Sequence, residues 1–324
     1  MITKTKVMRD ALIERINERM ATNPDIFFVS ADFGSPALDQ LRSGHGDRFI
    51  NVGIAEQNLI NVSVGLALEG YTVYSYLIAP FVLRAYEQIR VSLAQLSQIR
   101  QLNVNIIGVG AGLSYDVTGP THHCLEDIAI MRVLPNIEIF SPSDAVLAGK
   151  FIDYSLDKKI PKYIRLDGKP LPPIYDDEQE INIENGFFEL KKGSEVCLVA
   201  TGYMTGKALE IADKLAEKGS NAGVIDMFLL KNYNESTLYN ILKRYKNIVT
   251  MEEAFIKKGG LDCLISDLLR KNHSSVRLDS LGFTDTYVFQ VGDRRYLHQI
   301  NGLSGESITK MIREIPENTR CGKN

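Results

Sequence analysis

A single glutamate, Glu56, stands where a carboxylate could do chemistry. It follows a β-prone run at residues 48–52 and a glycine, and it opens a long helix-like stretch of small and apolar residues. A carboxylate at the start of a helix complements the positive end of the helix dipole. It can also hold or transfer a proton if the turn that carries it lines a pocket. Both roles are consistent with the residue pattern alone.

The glycine-rich segment at residues 108–123 is the second candidate site, and it ends in His122 and His123. Glycines allow close approach of the backbone to a ligand. Polar groups just past a parallel strand lie where open α/β sheets bind ligands. Glu56 and Phe81 also follow predicted strands, so we expect all three features at one sheet edge. No further ligands at zinc spacing accompany the two histidines, so we expect no metal site in this chain.

Two other patterns carry less information about function. The segment at residues 202–207 lies between a predicted strand and a predicted helix. Its glycines are one residue too close for a P-loop, and Ala208 replaces the Ser or Thr that would hold magnesium, so we expect a plain turn. The adjacent carboxylates Glu252 and Glu253 follow a buried strand and diverge from each other. We therefore expect an ordinary loop edge there rather than an acid/base pair.

Strands alternate with helices along the first part of the chain. Predicted helices cover residues 5–21, 56–69 and 82–97. Predicted strands cover residues 26–30, 49–52, 73–77, 103–109, 135–140 and 162–166. This alternation predicts an α/β fold with an open, mostly parallel sheet that is flanked by helices.

The alternation breaks after residue 167, where three prolines precede three consecutive acids. A second alternation then begins, with a predicted helix at residues 205–218 and predicted strands at residues 195–200, 222–227, 248–251 and 276–281. We therefore expect two α/β domains, each a mostly parallel sheet flanked by helices. Their expected bounds are residues 1–170 and 191–324, with a linker at residues 171–190.

Composition limits the class of protein. A chain of 324 residues, 44% hydrophobic and 24% charged, can bury a sizeable core in two domains. Its net charge of -3 offers no basic field for nucleic acid. The four cysteines are scattered without a Cys-x-x-Cys pair, which is typical of reduced thiols. Because neither a signal peptide nor a membrane-spanning apolar run is visible, we expect a cytoplasmic protein that binds neither nucleic acid nor membrane.

Three linked motifs carry a family resemblance: Asn-Val-Gly-Ile-Ala-Glu-Gln-Asn at residues 51–58, Pro-Phe-Val-Leu-Arg-Ala-Tyr-Glu-Gln at residues 80–88, and Gly-Pro-Thr-His-His at residues 119–123. In order and approximate spacing they resemble the transketolase family of thiamine diphosphate enzymes. The resemblance covers essentially the whole chain and implies that family's pyrimidine-binding domain followed by its C-terminal domain. The Gly-Asp-Gly motif that holds diphosphate and magnesium in one-chain members is missing. The chain thus resembles the C-terminal subunit of a split transketolase, with a partner that supplies the diphosphate and Mg²⁺ site.

The resemblance also implies which residues bind the cofactor. Glu56 would hydrogen-bond to the aminopyrimidine ring and favour the imino tautomer, whose nitrogen removes the C2 proton of thiamine diphosphate. Phe81 would stack on the pyrimidine, with Ile78 and Arg84 beside it. Asp32 matches a family aspartate near the cofactor at the boundary between subunits, although a turn-capping role is also open for it.

Substrate contacts follow from the same resemblance. His122 matches a family histidine that faces the sugar hydroxyls and could assist proton transfer, so it joins Glu56 as a catalytic candidate. Arg165 matches a phosphate-binding arginine. Thr118 and Gly110 depart from the family pattern, since many members carry an aspartate and a histidine at these positions. These departures leave open which sugar is used and whether it is phosphorylated.

The leading hypothesis is a subunit that transfers a two-carbon ketol unit from a ketose to an aldose. It would use thiamine diphosphate and Mg²⁺ at the interface with its partner, in a dimer of heterodimers. Three alternatives stay open: the β subunit of a 2-oxoacid dehydrogenase, a 1-deoxyxylulose-phosphate-synthase-like enzyme, favoured by residues 84–88, and a non-catalytic scaffold subunit. The joint presence of Glu56, Phe81 and His122 argues against a scaffold.

Overall fold

The computed structural model describes residues 6–318, and side chains as far as residue 314. Thr5, where the first helix was predicted to begin, and Cys321 lie outside the described residues. Within residues 6–318, no helix combines the length and the apolar character that crossing a membrane would need.

Among the residues that the structure describes, the first domain contains six strands and six α-helices. The strands are β1 (Ile26–Ser30), β2 (Phe49–Asn51), β3 (Thr72–Ile78), β4 (Asn103–Val109), β5 (Glu138–Phe140) and β6 (Lys162–Leu166). The helices are α1 (Met8–Thr22), α2 (Pro36–Gly44), α3 (Glu56–Leu68), α4 (Tyr86–Gln88), α5 (Asp127–Val133) and α6 (Ala145–Asp157).

The six strands form one sheet in the order β2-β1-β3-β4-β6-β5, and every pairing is parallel. All six carboxyl ends therefore lie along the same edge. Side chains alternate between the two faces of a strand. On β3, Tyr74 and Tyr76 pack with α1 and α6 on one face, whereas Val73 and Leu77 pack with α3 on the other. The central strand β4 is buried throughout, as expected for a strand covered on both faces.

The prediction of a single helix at residues 82–97 is wrong, because the backbone there adopts several types of helix in succession. The backbone there is a 3₁₀ stretch at Ala79–Ala85, the short helix α4, a π stretch at Ile89–Gln95 and a last 3₁₀ turn at Leu96–Gln98. Pro80 stands near the start of the first stretch and has no N–H to donate. Apolar spacing predicts that a helical segment exists, but it does not distinguish these helix types.

As far as residue 318, the second domain contains five strands and five α-helices. The strands are β7 (Phe187–Lys191), β8 (Val196–Ala200), β9 (Ala222–Met227), β10 (Asn247–Phe255) and β11 (Arg277–Phe283). The helices are α7 (Tyr203–Ala216), α8 (Glu235–Leu242), α9 (Leu261–Lys271), α10 (Arg294–Ile300) and α11 (Gly305–Asn318).

These strands form a sheet in the order β11-β10-β8-β9-β7, parallel except for the antiparallel edge strand β7. The two-domain α/β class predicted from the sequence is thus confirmed. Strand β7 begins at Phe187, inside the stretch expected to be a linker, and it belongs to the second sheet.

The two sheets share a continuous apolar core. One cluster of buried side chains includes Ile128 and Met131 of α5 together with Ala254 of β10. Phe140 and Leu229 form an isolated antiparallel bridge between the domains. Burial of apolar surface is the main favourable term in folding, so we expect the two domains to unfold together.

A buried carboxylate, Asp226, lies where the two domains and the connecting chain meet. It accepts hydrogen bonds from Ser143 of the first domain (2.5 Å), from Tyr175 of the connecting chain (2.8 Å) and from Thr205 of α7 (2.8 Å). Burial raises the pKa of Asp226 to about 7, although the three hydroxyl donors favour its ionised form. Ionisation of this group therefore opposes folding.

The substitution Asp226→Asn should change how stability depends on pH. Because Asp226 binds its proton more tightly in the folded state, protonation of this group stabilises the folded protein. This stabilisation is fully present below pH 3.8 and is lost as the pH rises through about 7. The asparagine of the variant does not titrate, so only the unmodified protein loses this contribution. The difference in unfolding free energy between the unmodified protein and Asp226→Asn should therefore fall by up to about 1.4 kcal/mol for each pH unit across this window. Urea unfolding at half-unit pH steps measures this difference. The exposed Asp267 provides a control variant, Asp267→Asn. Parallel pH profiles for wild type and Asp226→Asn would contradict the assignment.

Candidate active site

Apart from Ile78 at the end of β3 and Arg165 within β6, the predicted site residues lie in the segments that follow β1, β2, β3 and β4. Because these strands are parallel, the loops meet at the carboxyl edge of the first sheet. Strand β2 leads to Glu56, β3 leads to Phe81, and β4 leads to the loop that carries His122.

Glu56 is the first residue of α3 and is 2% exposed. A tight turn precedes it, in which Gly53 has a φ of +75° and donates its N–H to the side chain of Asn51 at 2.9 Å. Glycine adopts this left-handed backbone without a steric penalty. The helix dipole favours a negative charge in the first turn. The local sequence thus buries a carboxylate that the helix end helps to stabilise.

Arg84 covers this carboxylate. Its Nη1 donates to Glu56 Oε2 at 2.9 Å, and no other described group donates a hydrogen bond to the Glu56 carboxylate. Arg84 also lies over the ring of Phe81, with 5.5 Å between the guanidinium carbon and the ring centroid. Side chains three residues apart eclipse in a 3₁₀ helix, which explains why these two lie together. Ile78, half-buried at the end of β3, immediately precedes this turn.

His122 completes this group of residues. Its ring centroid lies 5.5 Å from that of Phe81, with the rings 65° apart, and its Nδ1 is 3.0 Å from the hydroxyl of Thr121. Tyr115 also lies near the imidazole, with 6.5 Å between ring centroids and 81° between the ring planes. A contact series from Glu56 through Arg84 and Phe81 to His122 therefore joins three loops at one edge.

Two of the remaining predicted residues, Thr118 and Asp32, are exposed in loops at the same edge of the sheet. Thr118 is exposed at the end of a 3₁₀ turn, Asp116–Thr118, in the loop that carries His122. Asp32 is exposed, has a φ of +57°, and accepts a hydrogen bond from Asn51 Nδ2 at 2.7 Å. Because Asn51 also holds the turn before Glu56, Asp32 is linked to that turn.

Arg165 does not face this group in the structure. It is 3% exposed, and its Nε donates to Asp127 Oδ2 at 2.7 Å. Its Nη2 donates to the carbonyl oxygens of Cys124 at 3.3 Å and Glu253 at 2.9 Å. A buried charge requires partners within the protein. Asp127 balances the charge of the Arg165 guanidinium, and backbone carbonyls accept its further hydrogen bonds.

The prediction of an ordinary loop edge at Glu252 and Glu253 is wrong. Strand β10 extends through both residues to Phe255, and both carboxylates are buried. Glu252 accepts from the N–H groups of Leu261 (2.8 Å) and Asp262 (2.9 Å), at the start of α9. Glu253 points to the opposite face and accepts from the N–H of Leu113 at 2.9 Å. The divergence of adjacent side chains was correctly anticipated, but their burial was not.

The turn predicted at residues 202–207 is shorter in the structure, where it is confined to Gly202 because α7 begins at Tyr203. Gly202, with a φ of +57°, immediately precedes α7. Lys207 does not face a ligand, since its Nζ donates to the carbonyl of Leu303 at 2.8 Å and lies 2.6 Å from Nδ1 of His298.

The group around Glu56 fits the pyrimidine half of thiamine diphosphate. Phe81 is half-buried and so keeps part of its ring available for stacking, and Glu56 is a buried carboxylate that accepts only one hydrogen bond from the described residues. Stacking on an aromatic face and hydrogen bonding to a buried acceptor suit a flat nitrogen heterocycle. Within residues 6–318, no three or more His, Cys, Asp or Glu side chains are grouped so as to hold a metal ion.

Fold and site together place this chain among the two-domain α/β proteins. Residues 4–172 match the family described as transketolase, pyrimidine binding domain, and residues 188–308 match the transketolase C-terminal domain. The chain belongs to the transketolase family, which confirms the resemblance found in the sequence motifs. Membership of this family implies dependence on thiamine diphosphate.

The similar proteins include components of split transketolases. One of the subunits of the apulose-4-phosphate transketolase of Actinobacillus succinogenes is 33% identical over 94% of this chain and 96% of its own length. A 6-deoxy-6-sulfo-D-fructose transketolase subunit of a Clostridium species is 28% identical over 96% of this chain and 94% of its own. A solved structure described as a split gene transketolase, inactive beta4 tetramer, is 31% identical, with a TM-score of 0.85 over 95% of this chain and 97% of that one.

Replacing Gly112 should destabilise the fold more than replacing a second glycine in the same loop. Gly112 has a φ of +58°, and a Cβ there would overlap the side chain of Glu253. Gly119 has a φ of +87° but open space around it. We expect Gly119→Ala to lower the free energy of unfolding by roughly 1 kcal/mol, because of the backbone conformation alone. Gly112→Ala should lower it by roughly 1–3 kcal/mol more, because of the overlap with Glu253. Urea unfolding of both variants measures the difference; equal losses would show that loop and strand are not tightly packed.

Proposed function

We propose that this chain is the pyrimidine-binding subunit of a split transketolase, and that with a second subunit it transfers a two-carbon ketol unit from a ketose to an aldose. The observation that carries the proposal is the contact series from Glu56 through Arg84 and Phe81 to His122. It supports a site in which a buried acid, an aromatic face and an imidazole act on one ligand.

Each residue of the series has a separate task in this proposal. Thiamine diphosphate, when bound, supplies a nucleophilic carbon and its own internal base. Glu56 holds a proton shared with the pyrimidine ring, and Arg84 orients the Glu56 carboxylate by occupying Oε2. Phe81 stacks on the pyrimidine ring and excludes water from that face. His122 contacts the sugar hydroxyls and moves a proton to or from them.

Several parts of the proposal involve the second subunit. That subunit holds the diphosphate group and its Mg²⁺ ion, and the complete protein is a dimer of heterodimers in the cytoplasm. Support comes from relatives that are named as subunits of split enzymes and match almost the whole of this chain. Described cysteines that form no disulfide, among them Cys124 and Cys197, are consistent with a reducing compartment.

The substrate contacts in the proposal come from the loop that carries His122. His122 and Thr118 lie on the same loop, and Thr118 is exposed where a ligand hydroxyl could reach it. Asp32 acts as a cofactor-side residue through its bond to Asn51. Arg165 is not part of the proposed substrate site, because its donors are directed to protein groups. We propose ketose donors and aldose acceptors, with the terminal group of the sugar as the variable to screen.

Glu56→Gln should abolish ketol transfer by the assembled complex. The amide keeps the shape of the side chain but cannot share a proton as a carboxylate does, so we expect turnover to fall on the order of a thousandfold. The measurement is transfer from a panel of phosphorylated and unphosphorylated ketoses, with complex formation followed by size-exclusion chromatography.

Glu69 provides a matched control, since it is an exposed glutamate at the other end of the same helix. Glu69→Gln should leave turnover unchanged. Retained activity in Glu56→Gln, with the complex intact, would leave Glu56 only the role of a helix-starting acid and would contradict the proposal.

A further inference from the structure

A cluster of buried ionisable side chains joins the loop that carries His122, which we define as residues 113–123, to the protein beneath it. Its members come from both domains: Asp116 and Asp167 from the first, and Glu253, Arg294 and His298 from the second. None of them takes part in the mechanism described above. Burying charges is costly unless each is paired and hydrogen-bonded, so their arrangement calls for a physical reason.

Glu253 is attached directly to the start of this loop. Its Oε2 accepts from the backbone N–H of Leu113 at 2.9 Å. Its Oε1 accepts from Arg294 Nε at 2.7 Å and lies 2.5 Å from His298 Nε2. Gly112 is the neighbour that makes this approach possible, because any side chain there would overlap Glu253.

Arg294 is attached to the middle of the loop. Its backbone N–H donates to Asp116 Oδ2 at 2.7 Å, and its Nη1 donates to Asp167 Oδ2 at 2.6 Å. The guanidinium lies over the ring of Tyr203, with 3.6 Å between the guanidinium carbon and the ring centroid. Lys169 also pairs with Asp116. The guanidinium is therefore fixed on several sides and binds the carboxylates of Glu253 and Asp167, whereas the backbone N–H of Arg294 binds the loop.

The end of the loop is tied to its start. Gly112 and Cys124 exchange both backbone hydrogen bonds, at 2.8 and 3.1 Å. His123 Nε2 lies 3.2 Å from the carbonyl oxygen of Asp116. Contacts made at Leu113 and Asp116 are thereby transmitted to His122, which lies between these ties and packs against Phe81.

We propose that Glu253 and Arg294 are positioning residues, which hold the loop at residues 113–123 so that His122 lies against Phe81. This inference rests on the proposed function for its catalytic consequence, but the placement of the loop can be measured without it. It gives the second domain a part in the active site even though that domain contributes no residue to the contact series.

An alternative is that these charges only hold the two domains together. The shared apolar core already joins them, and replacing buried ion pairs by apolar residues is often neutral or stabilising. The charges are also concentrated at this loop. Burial opposes ionisation of Glu253, but the charge of Arg294 and the hydrogen bonds from Arg294 and His298 hold its pKa well below the usual range. The attachment therefore persists across neutral pH.

Glu253→Gln tests the proposal, with Glu252→Gln as a matched control. Both glutamates are buried in β10 and undergo the same chemical change, but Glu252 caps α9 and does not contact the loop. In the full chain alone, we expect hydrogen exchange at residues 113–123 to accelerate at least about tenfold in Glu253→Gln, as for loss of one buried hydrogen bond. Loop exchange should not change in Glu252→Gln. Equal exchange rates in the two variants would overturn the proposal.

The assembled complex provides a second measurement. Glu253→Gln should raise the KM for sugar on the order of tenfold while the Kd for thiamine diphosphate stays within about twofold of wild type. Glu252→Gln should change neither. A loss of cofactor binding equal to the loss of sugar affinity would contradict a role confined to the loop. If the wild-type complex transferred no ketol unit, the proposed function would fail, whereas the exchange experiment would still decide the positioning of the loop.

The unmodified chain gives a test that does not depend on a variant that folds. The Leu113 amide, whose acceptor is Glu253, should exchange as slowly as amides within β10. Exchange at Leu113 as fast as at the exposed residues Val117 and Thr118 would show that the loop opens independently of Glu253, and it would overturn the proposal.

Discussion

The hydrogen bond from Arg84 Nη1 to Glu56 Oε2, 2.9 Å long, joins two loops that follow different strands of the first sheet. Glu56 is buried at the start of a helix, and a buried carboxylate is stable only where donors or charges satisfy it. The helix dipole and Arg84 provide this, and Arg84 in turn lies over Phe81. Because the sheet is parallel, these loops can meet only at its carboxyl edge. The geometry of the site therefore depends on how one carboxylate is satisfied.

The second domain extends this dependence beyond the first sheet. It shares the apolar core of the first domain, and it places the Glu253 carboxylate and the backbone N–H of Arg294 against the loop that carries His122. The contact between His122 and Phe81 thus has support on two sides: a 3₁₀ turn fixes the phenyl ring, and buried charges of the other domain fix the loop. A role for the second domain in catalysis would come through this loop.

The sequence predicted those features that depend on local pattern. Buried strands such as β1 and β8 are apolar over all or nearly all of their length, and Glu56 stands out as an acid at a turn before an apolar helix. Short elements such as α5 show too few turns for a period to be recognised. The burial of Glu253 and the inward orientation of Arg165 were missed because they depend on which distant residue supplies a partner. For Glu253 that residue is Arg294, which is 41 positions away.

Calorimetric titration of thiamine diphosphate, in the presence of Mg²⁺, tests the central claim most directly. It should be carried out on this chain alone, on a diphosphate-binding partner subunit alone, and on the two mixed at equal concentration. The claim is that this chain forms only the pyrimidine half of the cofactor site. It predicts saturable, tight binding for the mixture and none of comparable affinity for either subunit alone. Equally tight binding by this chain alone, or no binding by the mixture, would contradict it.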